Sequence, residues 1–169
     1  RKDIQFIFQD PYAALHPSKT VGNCIHEVLS VHYSNNKIKN HQRIIDLLSK
    51  VGLTEEYINR YPHELSGGQR QRVIIARALA VDPKVLICDE SVAALDISIQ
   101  AQVLNLLNDL KKNLGLSYLF ISHDLSIVKH MSDRVMIMRE GHIIEIQEAD
   151  DLYRNPKNDY TKKLIEAVL

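Results

Sequence analysis

The spacing of apolar positions changes twice along this chain, and each change marks a different kind of element. At the amino end, "IQFIFQ" (4–9) predicts a buried strand, and "DPYAALHPSKT" (10–20), interrupted by Pro11 and Pro17, predicts a loop without regular helix. From Thr20 to about Tyr33, Val21, Ile25, Val28 and Leu29 share one helical face, and Ile44, Ile45, Leu48 and Val51 repeat that pattern after the polar break "SNNKIKN". Thr54 and Tyr57 open a short helical piece, "YPHE" (61–64) breaks it, and Gln69 to Ala80 reads as a helix stopped by "DPK".

After this helical middle the chain alternates. "KVLICDE" (84–90) is an apolar strand ending in two acids, followed by a helix from about Ile97 to Leu114 with Asp96 as N-cap and Gly115 as stop. "LSYLFISHD" (116–124) predicts a second buried strand, "LSIVKHM" (125–131) a short helix, and "RVMIMREGHIIEIQ" (134–147) two strands around a Glu-Gly-His turn. An acidic helix start at "EADDLY", a break at Asn155 and Pro156, and an amphipathic stretch from Tyr160 to Leu169 complete the pattern. The order implies an α/β protein: a helical lobe followed by the later half of a parallel sheet.

Composition narrows the partners and the compartment. The 169 residues suit one domain in two lobes, and 21 basic against 21 acidic residues leave no bulk field for nucleic acid. Cys24 and Cys88 stand far apart without a CxxC, which fits a reducing compartment. No apolar run approaches the ~18 residues of a spanning helix, so a membrane link is expected to run through another protein.

Ligands of such sheets sit beyond the carboxyl ends of the strands, where Gln9, Asp89, Glu90 and His123 all fall. On strand alternation, the Asp89 and Glu90 side chains are expected to point to opposite sides. One can hold Mg²⁺ while the other polarises a water beside a nucleotide phosphate; the alternative is an acidic loop after a core strand. His123 can hydrogen-bond a phosphate or serve as a structural histidine. Gln9 can reach the metal or be an ordinary loop residue, and Asp96 can cap its helix or meet a second molecule. In "ELSGGQRQR" (64–72), Ser66 is either a helix N-cap followed by turn-forming glycines or part of an anion site made from bare N–H groups.

Taken in order, the Gln9 loop, "LSGGQRQR" (65–72), "VLICDE" (85–90), "AALD" (93–96) and "ISHD" (121–124) resemble the nucleotide-binding subunits of ABC transporters. The resemblance implies a P-loop ABC-type ATPase fold and a peripheral place on the cytoplasmic face of the cell membrane. It implies ATP and Mg²⁺ as ligands, with Gln9 as the Q-loop glutamine, Asp89 as the Walker B aspartate and Gln9 and Asp89 serving the metal, partly through water. Glu90 becomes the catalytic glutamate and His123 the switch histidine. Ser66, Gly67, Gly68 and Gln69 form the signature motif that completes the ATP site of the opposite subunit in a head-to-tail dimer, and Asp96 is the D-loop aspartate. The implied partners are a second ATPase subunit, identical or not, transmembrane permease subunits and, indirectly, a substrate-binding protein, with no nucleic acid among them.

"FQDPYAALHP" (8–17) and "NPKNDYTKKLIEAV" (155–168) narrow the resemblance to importers of oligopeptides, dipeptides and nickel. His16, Asp159 and "SVA" (91–93) depart from the residues usual there. The chain then reads as a helical lobe over about 10–80 with the Q-loop and signature, an α/β core over about 81–147, and a tail over about 148–169. No GxxxxGK[ST] occurs, although the family cradles phosphates with that loop. "IQFIFQ" also begins almost at residue 1 with no hairpin or crossover before it to pair it. Both features imply a fragment that neither binds ATP well nor turns it over alone. A soluble ABC ATPase of DNA repair or translation, and a non-catalytic interaction module, are the alternative readings.

Overall fold

Strand β1 (Ile4–Ile7) finds its partner far along the chain: it runs parallel to β2 (Val85–Asp89), with Ile4 opposite Val85 and Ile7 opposite Cys88. The computed structural model describes residues 2–33 and 36–167, and places β3 (Ser117–Ile121) beside β2 in the order β1-β2-β3. The crossover from β1 to β2 is the helical lobe itself, so the first strand is paired after all. Register partners share a face of the sheet. One face buries Ile7, Leu86 and Cys88; the other leaves Ile4 and Phe6 each 49% exposed. Leu119 and Ile121 of β3 are also exposed. The two strands expected to be buried are therefore covered on one side only, because alternation sends half their apolar side chains away from the helices.

The loop after β1 contains one helical turn, α1 (Pro11–Ala14), where no helix was expected. Pro11 is its first residue, the place where a missing N–H costs nothing and a fixed φ helps. Helix α2 (Val21–His32) is capped by Thr20, whose hydroxyl accepts the Asn23 N–H at 3.3 Å, and it buries Val21, Ile25 and Leu29. Helix α3 (Lys37–Lys50) starts inside the predicted polar break because Asn36 caps it, accepting the Lys39 N–H at 3.1 Å. Ser34 and Asn35 of that break lie outside the described residues.

Helix α4 (Gly67–Leu79) begins two residues before the predicted start. Its centre is apolar on every side, with Val73, Ile74, Ile75 and Ala76 all buried, as a helix inside a core must be. The basic residues of this stretch tie neighbouring turns to it. Arg70 donates to the Pro62 and Leu65 carbonyls at 2.9 and 2.7 Å, Arg72 to Val51 at 2.7 Å, and Arg77 to Ala14 at 2.5 Å. Helix α5 (Ile97–Leu114) links β2 to β3 and ends at Gly115, which adopts φ +64°.

Two compact units divide at Leu119 and Phe120. Within the second, α6 (Leu125–Met131) precedes an antiparallel hairpin of β4 (Arg134–Arg139) and β5 (His142–Glu148). Glu140 and Gly141 turn it with φ of +50° and +80°, the sign pattern of a tight hairpin turn. Helices α7 (Ala149–Arg154) and α8 (Asp159–Glu166) then bring Leu152 and Ile165 onto Leu125, Val128, Val135 and Ile137. Val168 and Leu169, at the end of the expected final helix, lie outside the described residues.

Glu145 of β5 is buried and anchors the segment between α7 and α8, accepting the Lys157 and Asn158 N–H groups at 2.8 and 3.1 Å. Burial alone would raise its pKa. The Thr161 hydroxyl, those two N–H groups and the Gln147 amide more than reverse this and hold the carboxyl at about 2.

A methyl at Gly68 would lie 2.4 Å from Ile99 Cγ2, so Gly68→Ala is expected to cost about 1–3 kcal/mol. Denaturant melts of the single variant and of Gly68→Ala with Ile99→Ala should show much of that loss recovered in the double variant. Glu145→Gln is expected to cost about 2 kcal/mol at neutral pH, since hydrogen bonds to a charged acceptor are replaced. The folded pKa of Glu145 lies below its ordinary value, so its contribution is complete above the usual carboxylate range and fades as pH falls toward 2. The gap between wild type and Glu145→Gln should therefore narrow in melts taken at successively lower pH.

Candidate functional site

The carboxyl ends of β1 and β2 bring Gln9 and Glu90 together. Gln9 lies two residues beyond β1, and its Nε2 donates to Glu90 Oε2 at 2.6 Å across 81 positions of sequence. Asp89 is the last residue of β2 and is exposed at the same tip. Strand alternation, which was expected to carry through both acids, stops at Asp89. Glu90 instead adopts φ +44°, the left-handed region that costs a non-glycine residue about 1–2 kcal/mol.

What holds Glu90 there is the turn after it. Its carbonyl accepts the Ala93 N–H at 3.0 Å, the Val92 carbonyl accepts the Leu95 N–H at 3.1 Å, and Ser91 and Val92 are buried. Strain sustained by its surroundings in this way is typical of functional positions. Cys88, one residue upstream of Asp89, is buried and its thiol pushed up to about 12, so it contributes no nucleophile.

A second group forms where α4 and α5 begin. Ser66 caps α4 through a reciprocal pair: its hydroxyl accepts the Gln69 N–H at 3.3 Å, and Gln69 Oε1 accepts the Ser66 N–H at 2.9 Å. The capping reading of Ser66 therefore holds. The glycines, however, make no turn; they are the first two residues of the helix, and neither has a positive φ. Gly68 is buried under Ile99, whereas a side chain at Gly67 would meet only Leu95 Cδ2, at 3.4 Å. Gly68 thus serves packing, and Gly67 lies at the more open edge of the helix start.

Asp96 caps α5, accepting from the Ile99 N–H at 3.0 Å and the Ser98 hydroxyl at 2.9 Å. Those bonds, the Ile99 N–H first, hold its carboxyl below the usual range. Tyr57 joins this region unannounced by any motif: its hydroxyl accepts from Gln69 Nε2 at 2.9 Å. The two lie twelve positions apart, across a stretch that holds two short 3-10 turns (Glu55–Asn59 and Pro62–Glu64), and no single periodic pattern could have paired them. A cavity of about 620 Å³ lies next to the segment that follows Gln9, lined by Leu15, His16, Lys19, Glu27, Val28 and Arg77 among others.

His123 belongs to the second unit, two residues past β3, with its side chain exposed. Asp124 immediately after it caps α6, accepting from Ser126 and Ile127 N–H groups at 2.8 and 3.2 Å. Among the described residues no cluster of three or more His, Cys, Asp or Glu could hold a metal, and no helix is long and apolar enough to cross a membrane. A magnesium nucleotide needs no such cluster, since Mg²⁺ takes one or two carboxylates with phosphates and waters. Asp89 with Gln9, oxygen donors open at a strand tip, fit that requirement.

Two acids at the tip of one parallel strand, a glutamine after the neighbouring strand and a helix opened by Ser-Gly-Gly are the features of an ATP-binding cassette. The ABC transporter family profile matches residues 1–93, more than half of the chain, and the chain belongs to that family. It is 55% identical to the oligopeptide transport ATP-binding protein OppF of Bacillus subtilis over 99% of this chain and 55% of that protein. It is 54% identical to the glutathione import ATP-binding protein GsiA of Pectobacterium atrosepticum, over 99% of this chain and 27% of that one. The structure of CbiO1 from Clostridium perfringens, part of the ABC transporter complex CbiONQ, superposes with a TM-score of 0.80 at 30% identity, covering 92% of this chain and 61% of that one. The chain spans about half the length of the OppF relatives and less of the GsiA ones.

Glu90→Gly relieves the left-handed strain while Glu90→Ala retains it, and both remove the carboxylate. Melting of the two variants should place Glu90→Gly above Glu90→Ala by about 1 kcal/mol; the reverse order would show that the turn is not strained.

Proposed function

We propose that this chain is the nucleotide-handling part of an importer that uses ATP to bring peptides across a membrane. The carrying observation is the contact between Gln9 and Glu90, which joins the loop after β1 to the carboxylate after β2. The start of the segment that leads into α1 is thereby linked to the carboxylate that serves as general base in this reading. The cargoes named for OppF and GsiA are oligopeptide and glutathione, which supports peptides over nickel complexes as the transported class.

In this reading Glu90 orients and deprotonates the attacking water, Asp89 and Gln9 hold Mg²⁺, partly through water, and His123 hydrogen-bonds the terminal phosphate. Bound Mg²⁺ draws charge from the phosphate oxygens. Ser66, Gly67, Gly68 and Gln69 act on the nucleotide of a second ATPase subunit, identical or not, in a head-to-tail dimer, where Gly67 leaves room for a phosphate to approach the backbone. Asp96 faces the same dimer boundary. The lobe over about 10–80 docks a permease subunit, and the cavity beside α1 and α2 is the concave surface available for it. The α/β part over about 81–147 and the tail over about 148–169 belong to the same subunit, held peripherally at the cytoplasmic face of the membrane.

Glu90→Gln in the full-length protein tests this directly. Steady-state ATP turnover is expected to fall by at least about 100-fold, the scale of a lost general base. Mass measurement should find an ATP-bound dimer accumulating. Near-normal turnover would remove Glu90 from the chemistry and the reading with it.

A further inference from the structure

We propose that Tyr153 is a positioning residue for His123, acting through the first turn of α6. The inference rests on the role given to His123 above. His123 sits at the apex of a short pinned turn: the Asp124 N–H donates to Ser122 Oγ at 3.0 Å, bridging the histidine, and the Asp124 carboxylate caps α6 directly behind it. Those local bonds fix the turn to α6. They do not fix α6 itself, a helix of only seven residues.

The tail of the same unit does that. Tyr153, near the end of α7, donates its hydroxyl to the Leu125 carbonyl at 2.5 Å, two residues from His123. Its ring lies against the same helix one turn further on, with Lys129 Nζ 5.1 Å from the ring centroid. One side chain therefore spans α6 from its first residue to its fifth. Burial, with the Asp124 carboxylate nearby, raises the Tyr153 pKa, so the hydroxyl remains a donor throughout the neutral range.

Packing supplies the rest of the restraint: Leu125 and Val128 share a core with Leu152 and Ile165. Apolar contacts tolerate sliding, since dispersion is not directional, whereas a hydrogen bond to one carbonyl selects an angle. The tyrosine thus converts a packed tail into an oriented one, and the oriented element is the one that carries the phosphate-facing histidine.

The test uses the full-length protein with Tyr153→Phe, Ile165→Ala and His123→Ala. Tyr153→Phe keeps the ring and deletes only the hydroxyl. It is expected to lower kcat about tenfold with KM for ATP within about twofold, the pattern of a misplaced catalytic group rather than lost binding. The imidazole NMR signal of His123 should shift, while those of His16, His26 and His41 stay in place. Ile165→Ala loosens the same core without touching the bond, and should lower Tm with little change in kcat. Unchanged kcat and an unmoved His123 signal in Tyr153→Phe would overturn the proposal, as would an equal kcat loss in Ile165→Ala at matched Tm. Full turnover in His123→Ala would sink the role of the histidine instead, and the His123 signal in Tyr153→Phe would still decide the positioning.

Discussion

Helix α4 has to satisfy water-free surroundings on all sides, and the first unit is organised by how it does so. Val73 through Ala76 leave no polar face, so the helix can exist only inside a core. Its arginines leave that core at the flanks and end beside the carbonyls of Ala14, Val51, Pro62 and Leu65. Carbonyls in irregular segments need donors as much as helical ones do. A run that looks like a basic surface is thus largely an internal scaffold, and the turn carrying Ser66 and the short helix after Gln9 are both referenced to one rigid rod.

Strain persists at the tip of β2 for a local reason. Glu90 occupies a conformation suited to glycine, and it stays there because Ser91 and Val92 are buried directly behind it. The result is a carboxylate turned out of strand alternation and toward Gln9. The two glycines that open α4 differ in their surroundings: at Gly68 Ile99 leaves no room for a side chain, whereas Gly67 has more space around it.

In the second unit, polar groups again decide direction where apolar ones supply adhesion. Glu145 secures the segment between α7 and α8 by accepting backbone N–H groups, and Tyr153 secures α6 by donating to a backbone carbonyl. Neither bond follows a periodic pattern, and both link residues more than ten positions apart.

Much of the architecture was legible in the sequence because it depends on local chemistry. Thr20, Ser66 and Asp96 stop the chain before a helix by accepting N–H groups a few residues on, Gly115 ends one by adopting positive φ, and the order of Gln9, signature, paired acids and His123 identified the family. What only the tertiary structure decided involves partners distant in sequence. Pairing β1 with β2 across the whole helical lobe, leaving Ile4 and Phe6 on an open face, and seating one helical turn at Pro11 depend on neighbours that periodicity does not encode. The left-handed Glu90, its bond to Gln9 and the Tyr153 brace on α6 have the same origin: each is imposed by packing behind the residue or by a donor that the fold delivers, and such forces act through space, where a linear pattern of side chains carries no distance.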